Sequence, residues 1–200
     1  MEYAFETFKQ ALNLLSARLG IMGAPHFNLV VCGGTALMAA NLIIRHFTKD
    51  VDVVALMDEN GNLLDPEPLP QELVETARIT ALDLNLPEDW LNNGPSRGEG
   101  GLFRMGLPED FSSRLIRMEF GEKLTVFFAG RLDQIHFKLY AAVDRSGGYH
   151  ADDLLKLNPT EDELLMAARW SMTHDVSAGY RMSLMEMIRM LGYGKIIEKL

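Results

Sequence analysis

Apolar residues recur at helical spacing from the start of the chain. Phe5, Phe8, Leu12, Leu15 and Leu19 stand three or four apart, which predicts an amphipathic helix over residues 2–19. Gly20, Gly23 and Pro25 end it. The period then shortens. Leu29, Val30, Val31 and Cys32 form a short, β-branched apolar run, the pattern of a buried strand. Gly33 and Gly34 break that run, and Thr35 stands where a helix N-cap would. A second helix is expected from Ala36 to about His46. Thr48, Lys49 and Asp50 turn the chain into a second strand, Val51-Asp52-Val53-Val54-Ala55-Leu56. Side chains two apart on a strand share a face, so Val51 and Val53 point inward while Asp50 and Asp52 project together on the other side.

Downstream, Asp58-Glu59-Asn60-Gly61-Asn62 is a turn, and Pro66, Pro68 and Pro70 mark an extended connection to a helix over residues 71–83. Leu84 to Phe103 is rich in Asn, Gly and Pro and reads as a mobile loop near a site, with Trp90 and Leu91 as anchors. Residues 113–120 and 123–129 form a hairpin closed at Gly121-Glu122, its second arm central in the sheet. Leu132, Ile135, Leu139 and Val143 give residues 131–145 a helical core stripe. Thr160 and Glu163 have capping-box spacing ahead of a helix over 161–173. A last helix, about 177–191, carries Met182, Met185, Met187 and Met190, suited to core packing or to a homodimer contact. The predicted fold is α/β (α+β): a mixed twisted sheet flanked by helices over residues 1–155, with 156–200 a helical segment packed on it.

Composition narrows the function. The 200 residues are 48% hydrophobic and 24% charged, enough for a packed core. No uncharged apolar run is long enough to predict a membrane span. The acidic, amphipathic start MEYAFETFKQ is unlike a secretory signal, and Cys32 is the single cysteine, so a cytoplasmic setting without disulfides is expected. The five histidines show no HxxxH or HExxH spacing, which argues against a zinc site. A net charge of −9 and the lack of a basic run disfavour an extended nucleic-acid contact. A small nucleotide held through a metal is compatible with that charge.

Asp50 and Asp52 are the most informative pair. Two carboxylates about 6–7 Å apart on one strand face repel unless a cation lies between them. Mg²⁺ prefers such oxygen ligands together with substrate phosphates. The glycine turn just before the helix offers backbone N–H groups to a phosphate. An ordinary βαβ turn with two surface acids is the plainer reading of the same residues.

Gly33-Gly34-Thr35, a helix, and then Asp50-Val51-Asp52-Val53 resemble the signature of the polymerase-β-like nucleotidyltransferase superfamily. The fuller GGTAL and TKDVDV are most similar to its bacterial abortive-infection toxin-like group. The resemblance spans about residues 28–155. It implies Mg²⁺- or Mn²⁺-dependent transfer of a nucleoside monophosphate from a nucleoside triphosphate to an acceptor hydroxyl, on an RNA end such as that of tRNA or on a protein side chain. It implies that Asp50 and Asp52 are catalytic and bind the metal, and that Gly33, Gly34 and Thr35 cradle the nucleotide. Lys138 and Arg145 resemble the Lys and Arg that the group carries on this helix, and Asp152-Asp153-Leu154 its Asp-rich stretch. Such a Lys and Arg could neutralise the β- and γ-phosphates of a bound nucleotide, or serve ordinary surface salt bridges. Tyr149-His150 departs from the group's Lys-Asp at that place. The superfamily's third carboxylate has one candidate, Glu119. A nucleotide-binding or protein-interaction module on the same scaffold, without efficient catalysis and as part of a toxin–antitoxin pair, is the alternative.

Overall fold

The structure, a computed structural model, describes residues 3–42 and 47–200. It divides into two units, Met1–Gly130 and Arg131–Leu200.

The first unit is a mixed sheet with helices packed on it. Helix α1 spans Phe5–Ile21 and buries Phe8, Leu12, Leu15 and Leu19, the stripe read from the sequence. The strands are β1 (Phe27–Cys32), β2 (Val51–Met57), β3 (Leu63–Leu64), β4 (Leu91–Asn92), β5 (Ile116–Glu119) and β6 (Leu124–Phe128). Their order is β3-β2-β1-β6-β5, with β4 also pairing β2. β1 runs antiparallel to β2 and parallel to β6, so β6 is an inner strand, as its strongly β-forming LTVFF run predicts. α1 and helix α3 (Gln71–Leu84) share one core with the sheet, built on Leu29, Val31, Val53, Leu73, Ala77, Val126 and Phe128.

Helix α2 is shorter than expected. It runs Gly33–Ala39 and stops where Asn41 adopts φ 51. There the Leu42 N–H donates to the Leu37 carbonyl at 3.0 Å and the Asn41 N–H to Met38 at 3.1 Å. Those bonds form a Schellman closure with asparagine in the left-handed position. Residues 43–46, the end of the expected helix, lie outside the described residues.

The segment 84–103 is built in rather than loose. Trp90 is fully buried, stacks on Phe8 with ring centroids 6.2 Å apart, and donates from Nε1 to the Ala77 carbonyl at 2.9 Å. Its neighbours Leu91 and Asn92 are β4. Ser96 is also fully buried, and Arg104, in helix α4 (Leu102–Met105), pairs with Asp65 at 2.8 Å and Glu99 at 3.0 Å. The hydrogen bond from Arg104 holds the Asp65 carboxyl below its ordinary pKa. These contacts anchor the segment at Trp90, Ser96 and Arg104.

The second unit is helical: α5 (Arg131–Asp144), α6 (Tyr149–Lys156), α7 (Glu161–His174) and α8 (Ala178–Met190). The division falls at Gly130, not near residue 155, because α5 and α6 belong with α7. The Arg131 guanidinium bridges Glu163 at 2.6 Å and the Leu157 carbonyl at 3.0 Å. Trp170 of α7 meets the rings of His136, Phe137 and Tyr140 of α5. The predicted capping box is formed, with the Glu163 N–H on Thr160 Oγ1 and the Thr160 N–H on Glu163 Oε2. Of the α8 methionines only Met187 is core; Met182 and Met190 are exposed. Among the described residues, no helix is long and apolar enough to cross a membrane.

Candidate functional site

The site forms where β1 meets α2. β1 ends at Cys32, and Gly33 turns the chain with φ +70, a conformation open to glycine but strained for other residues. Gly34 and Thr35 lie buried in the first turn of α2. Thr35 does not cap this helix. The N-cap is Cys32, and the Thr35 hydroxyl instead donates to the backbone carbonyl of Asp50 at 2.5 Å. That bond fastens the entrance of β2 to the start of α2, and the Val51 N–H, donating to the Trp90 carbonyl at 2.6 Å, fixes the same point from the other side.

A bulge decides which side chain meets the glycine turn. β1 and β2 pair Val30 with Ala55, then Val31 with Val53 and Cys32 with Asp52, so Val54 is the extra residue. A one-residue slip turns the faces of a strand over. Carrying the first register forward would set Val53 opposite Cys32; the bulge puts Asp52 there. The Val54 carbonyl accepts a hydrogen bond from Ser96 Oγ at 2.7 Å, so the 84–103 segment supports the bulge. The Asp52 carboxylate consequently lies against Gly33. A Cβ added at Gly33 would stand 2.5 Å from Asp52 Oδ2, inside contact distance. Asp50 and Asp52 are both half-buried.

Gly33, Gly34, Thr35, Asp50 and Asp52 thus come together in one corner of the first unit. Glu119 does not join them. It sits on β5, three strand spacings from β2, about 14 Å at the usual separation. It is also at the wrong end of the sheet, because it pairs with Thr125, which pairs with Asn28, whereas Asp52 pairs with Cys32. Its exposed carboxylate holds Arg117 at 2.5 Å. The strand partners of Asp52 are Cys32 on β1 and Asn92 on β4, neither a carboxylate. Among the described residues no group of three or more His, Cys, Asp and Glu side chains is placed to hold a metal ion.

Asn92, the last residue of the Pro-x-x-Trp-Leu-Asn stretch, is a neighbour of Asp52 for which the sequence predicts no role in the site. Its amide shapes the next turn, with Oδ1 accepting from the Gly94 N–H at 2.7 Å and Nδ2 donating to the Asp89 carbonyl at 3.3 Å. The Asn-Asn-Gly-Pro run signals such a turn, but only the parallel β2–β4 pairing sets it beside Asp52.

Lys138 and Arg145 belong to the second unit. Lys138 is 4% exposed and its ammonium pairs with Asp153 of α6 at 2.8 Å, over the Tyr149 ring at 5.6 Å. Arg145 follows the last residue of α5 and is exposed.

Comparison with protein-family models, with curated proteins and with solved structures gives no match for this chain. What fold and site define together is a mixed α/β unit with an acidic pair at a glycine turn, followed by a helical unit.

Proposed function

We propose that the corner formed by Gly33, Thr35, Asp50 and Asp52 binds the phosphates of a nucleoside triphosphate and supports nucleotidyl transfer to an acceptor hydroxyl. The observation that carries this reading is the contact of the Asp52 carboxylate with the glycine turn. It joins the two halves of the motif, acid pair and phosphate turn, which the sequence leaves 15 or more residues apart.

The donor set fits Mg²⁺. Half-buried carboxylates at the entrance of one strand supply oxygen ligands only, and Mg²⁺ commonly takes one or two carboxylates with substrate phosphates and water. Asp50 and Asp52 would hold it, and when bound it supplies charge neutralisation at the attacked phosphorus and the leaving oxygens. The chain's own groups do the positioning. Gly33 has no Cβ, which lets the Asp52 carboxylate close against the turn. Thr35 fixes Asp50 through its carbonyl, and the Val54 bulge fixes the face on which Asp52 stands. The reading rests on residues of the first unit alone.

One observation favours a second reading, binding without turnover. Cys32 and Asn92 occupy the positions beside Asp52 from which a third carboxylate would act as base or extra ligand. Titration calorimetry with ATP, GTP, CTP and UTP, in Mg²⁺ and in chelator, tests both. Metal-dependent binding of a nucleotide, lost in Asp52→Asn with the fold intact, supports the site, and release of pyrophosphate separates transfer from binding. Equal binding by wild type and Asp52→Asn sinks the assignment.

A further inference from the structure

The outer edge of β5 carries a self-complementary pattern. β5 ends the sheet order, and among the described residues no strand pairs with its far side. Hairpin hydrogen bonding fixes which groups face outward. The Phe120 N–H donates to the Leu124 carbonyl at 2.9 Å, making that a hydrogen-bonded pair. Such pairs alternate in an antiparallel ladder, so Met118–Val126 and Ile116–Phe128 are hydrogen-bonded and Arg117–Phe127 and Glu119–Thr125 are not. The other side of β6 agrees: the Lys123 carbonyl and the Ala129 N–H bond to β1. The backbone N–H and C=O groups of Arg117 and Glu119 therefore point away from β6, along the open edge. Their side chains share one face and are more than half exposed, at 58% and 63%. Met118, on the opposite face, packs against the core.

An edge of this kind pairs with another strand unless something prevents it. For two copies of β5 running antiparallel about a two-fold axis, outward residues must meet outward residues. Pairing Arg117 with Arg117, or Glu119 with Glu119, opposes like charges. Pairing Arg117 with Glu119 is the register between them. It exchanges both backbone hydrogen bonds at each of those pairs, forms the cross-strand ion pair twice, and puts the two Met118 side chains together at the axis, where they continue the core face. The present intrastrand Arg117–Glu119 contact, at 2.5 Å, then exchanges partners. We propose that β5 is a homodimer edge, with a second copy of this chain added in the Arg117-to-Glu119 register. The inference is independent of the nucleotide reading.

Sedimentation velocity over about a hundredfold range of protein concentration tests it. Wild type is expected to dimerise reversibly. Arg117→Glu alone, or Glu119→Arg alone, converts both ion pairs to repulsions and should weaken the dimer by at least about tenfold. Mixing these two single variants restores opposite charges at every pair and should give a heterodimer of wild-type strength, as should the doubly swapped chain with itself. Should a single reversal fail to fold by circular dichroism, Arg117→Pro carries the test. It removes an N–H that the β5–β6 hairpin does not use, and should dissociate the dimer with the hairpin retained. A monomeric wild type at all concentrations overturns the proposal, and so does a dimer indifferent to these substitutions or a mixture that fails to associate.

Discussion

Gly33→Ala probes the corner directly, because two separable penalties fall on one added methyl. The first is local. An L-residue held at φ +70 costs about 1–2 kcal/mol relative to its relaxed backbone. The second is steric and belongs to Asp52, whose Oδ2 would lie 2.5 Å from the new Cβ. The Cγ and Cβ of Asp52, at 3.4 and 3.5 Å, are close to ordinary contact, so the clash is with the carboxylate oxygen. Rotating that carboxylate out of its rotamer costs about 0.5–1.5 kcal/mol. Gly33→Ala should therefore destabilise the first unit by about 2–3 kcal/mol in wild type, but by only about 1–2 kcal/mol in an Asp52→Ala background. The difference, about 1 kcal/mol, is the coupling between turn and acid.

The assay is urea unfolding followed by tryptophan fluorescence. Trp90 is buried in the first unit and Trp170 belongs to the second, so a Trp170→Phe background leaves Trp90 as the reporter. Two units need not unfold together, which is why a local reporter is required. Midpoints should move at constant slope. Equal losses in the two backgrounds would refute the reasoning: the carboxylate would not lie over Gly33, and the phosphate-site reading would lose the observation that carries it.

Three other outcomes follow from the same geometry. Thr35→Val removes the buried donor to the Asp50 carbonyl and should cost about 1–3 kcal/mol in urea unfolding, with Thr35→Ser recovering most of it. Glu163 is held below its ordinary carboxyl pKa of 4.5, chiefly by the hydrogen bond from Arg131. A depressed carboxyl contributes stability above its unfolded pKa and loses it as pH falls through the folded value. In a Trp90→Phe background, which leaves Trp170 as the reporter, fluorescence should therefore show weakening of the second unit below about pH 4.5. Glu163→Gln keeps a capping side chain without the charge and should make that acid loss shallower; an unchanged profile would remove Glu163 from the account. Lys138→Met leaves Asp153 buried without its ammonium partner and should destabilise the second unit by about 3–5 kcal/mol, whereas Lys138→Met with Asp153→Leu should recover most of that loss.

The elements that follow local periodicity were legible in the chain. The α1 stripe, the capping box at Thr160 and the apolar run of β6 each specify their own conformation, and the structure forms all three. What could not be read locally is register. Val54 looks like any β-branched strand residue, yet as the bulged one it selects the face of Asp52, and the signal lies in its pairing with β1 and in the distant hydroxyl of Ser96. The 84–103 segment misled for a related reason. Asn, Gly and Pro mark turns but do not say whether the turns are anchored, and here Trp90, Ser96 and Arg104 anchor them.

Lys138 shows the same limit on helix α5, and it bears on how the second unit should be tested. The apolar stripe of that helix predicts one buried face, but Asp133, Gln134 and Lys138 are buried as well. A charged side chain is read from sequence as exposed, because burial of an ammonium is costly unless a carboxylate meets it. The partner, Asp153, comes from α6, and no local pattern announces it. An ammonium already held at 2.8 Å by a buried carboxylate is a structural cation first. To offer it to a phosphate, the chain would have to break that pair and leave Asp153 to be compensated. The double replacement separates the roles. If Lys138→Met with Asp153→Leu restores stability and leaves nucleotide affinity unchanged, the pair is a strut of the helical unit, and phosphate recognition rests with the glycine turn and the acids beside it. If stability returns while metal-dependent nucleotide affinity falls by tenfold or more, about 1.4 kcal/mol, the ammonium is recruited on binding despite its buried partner.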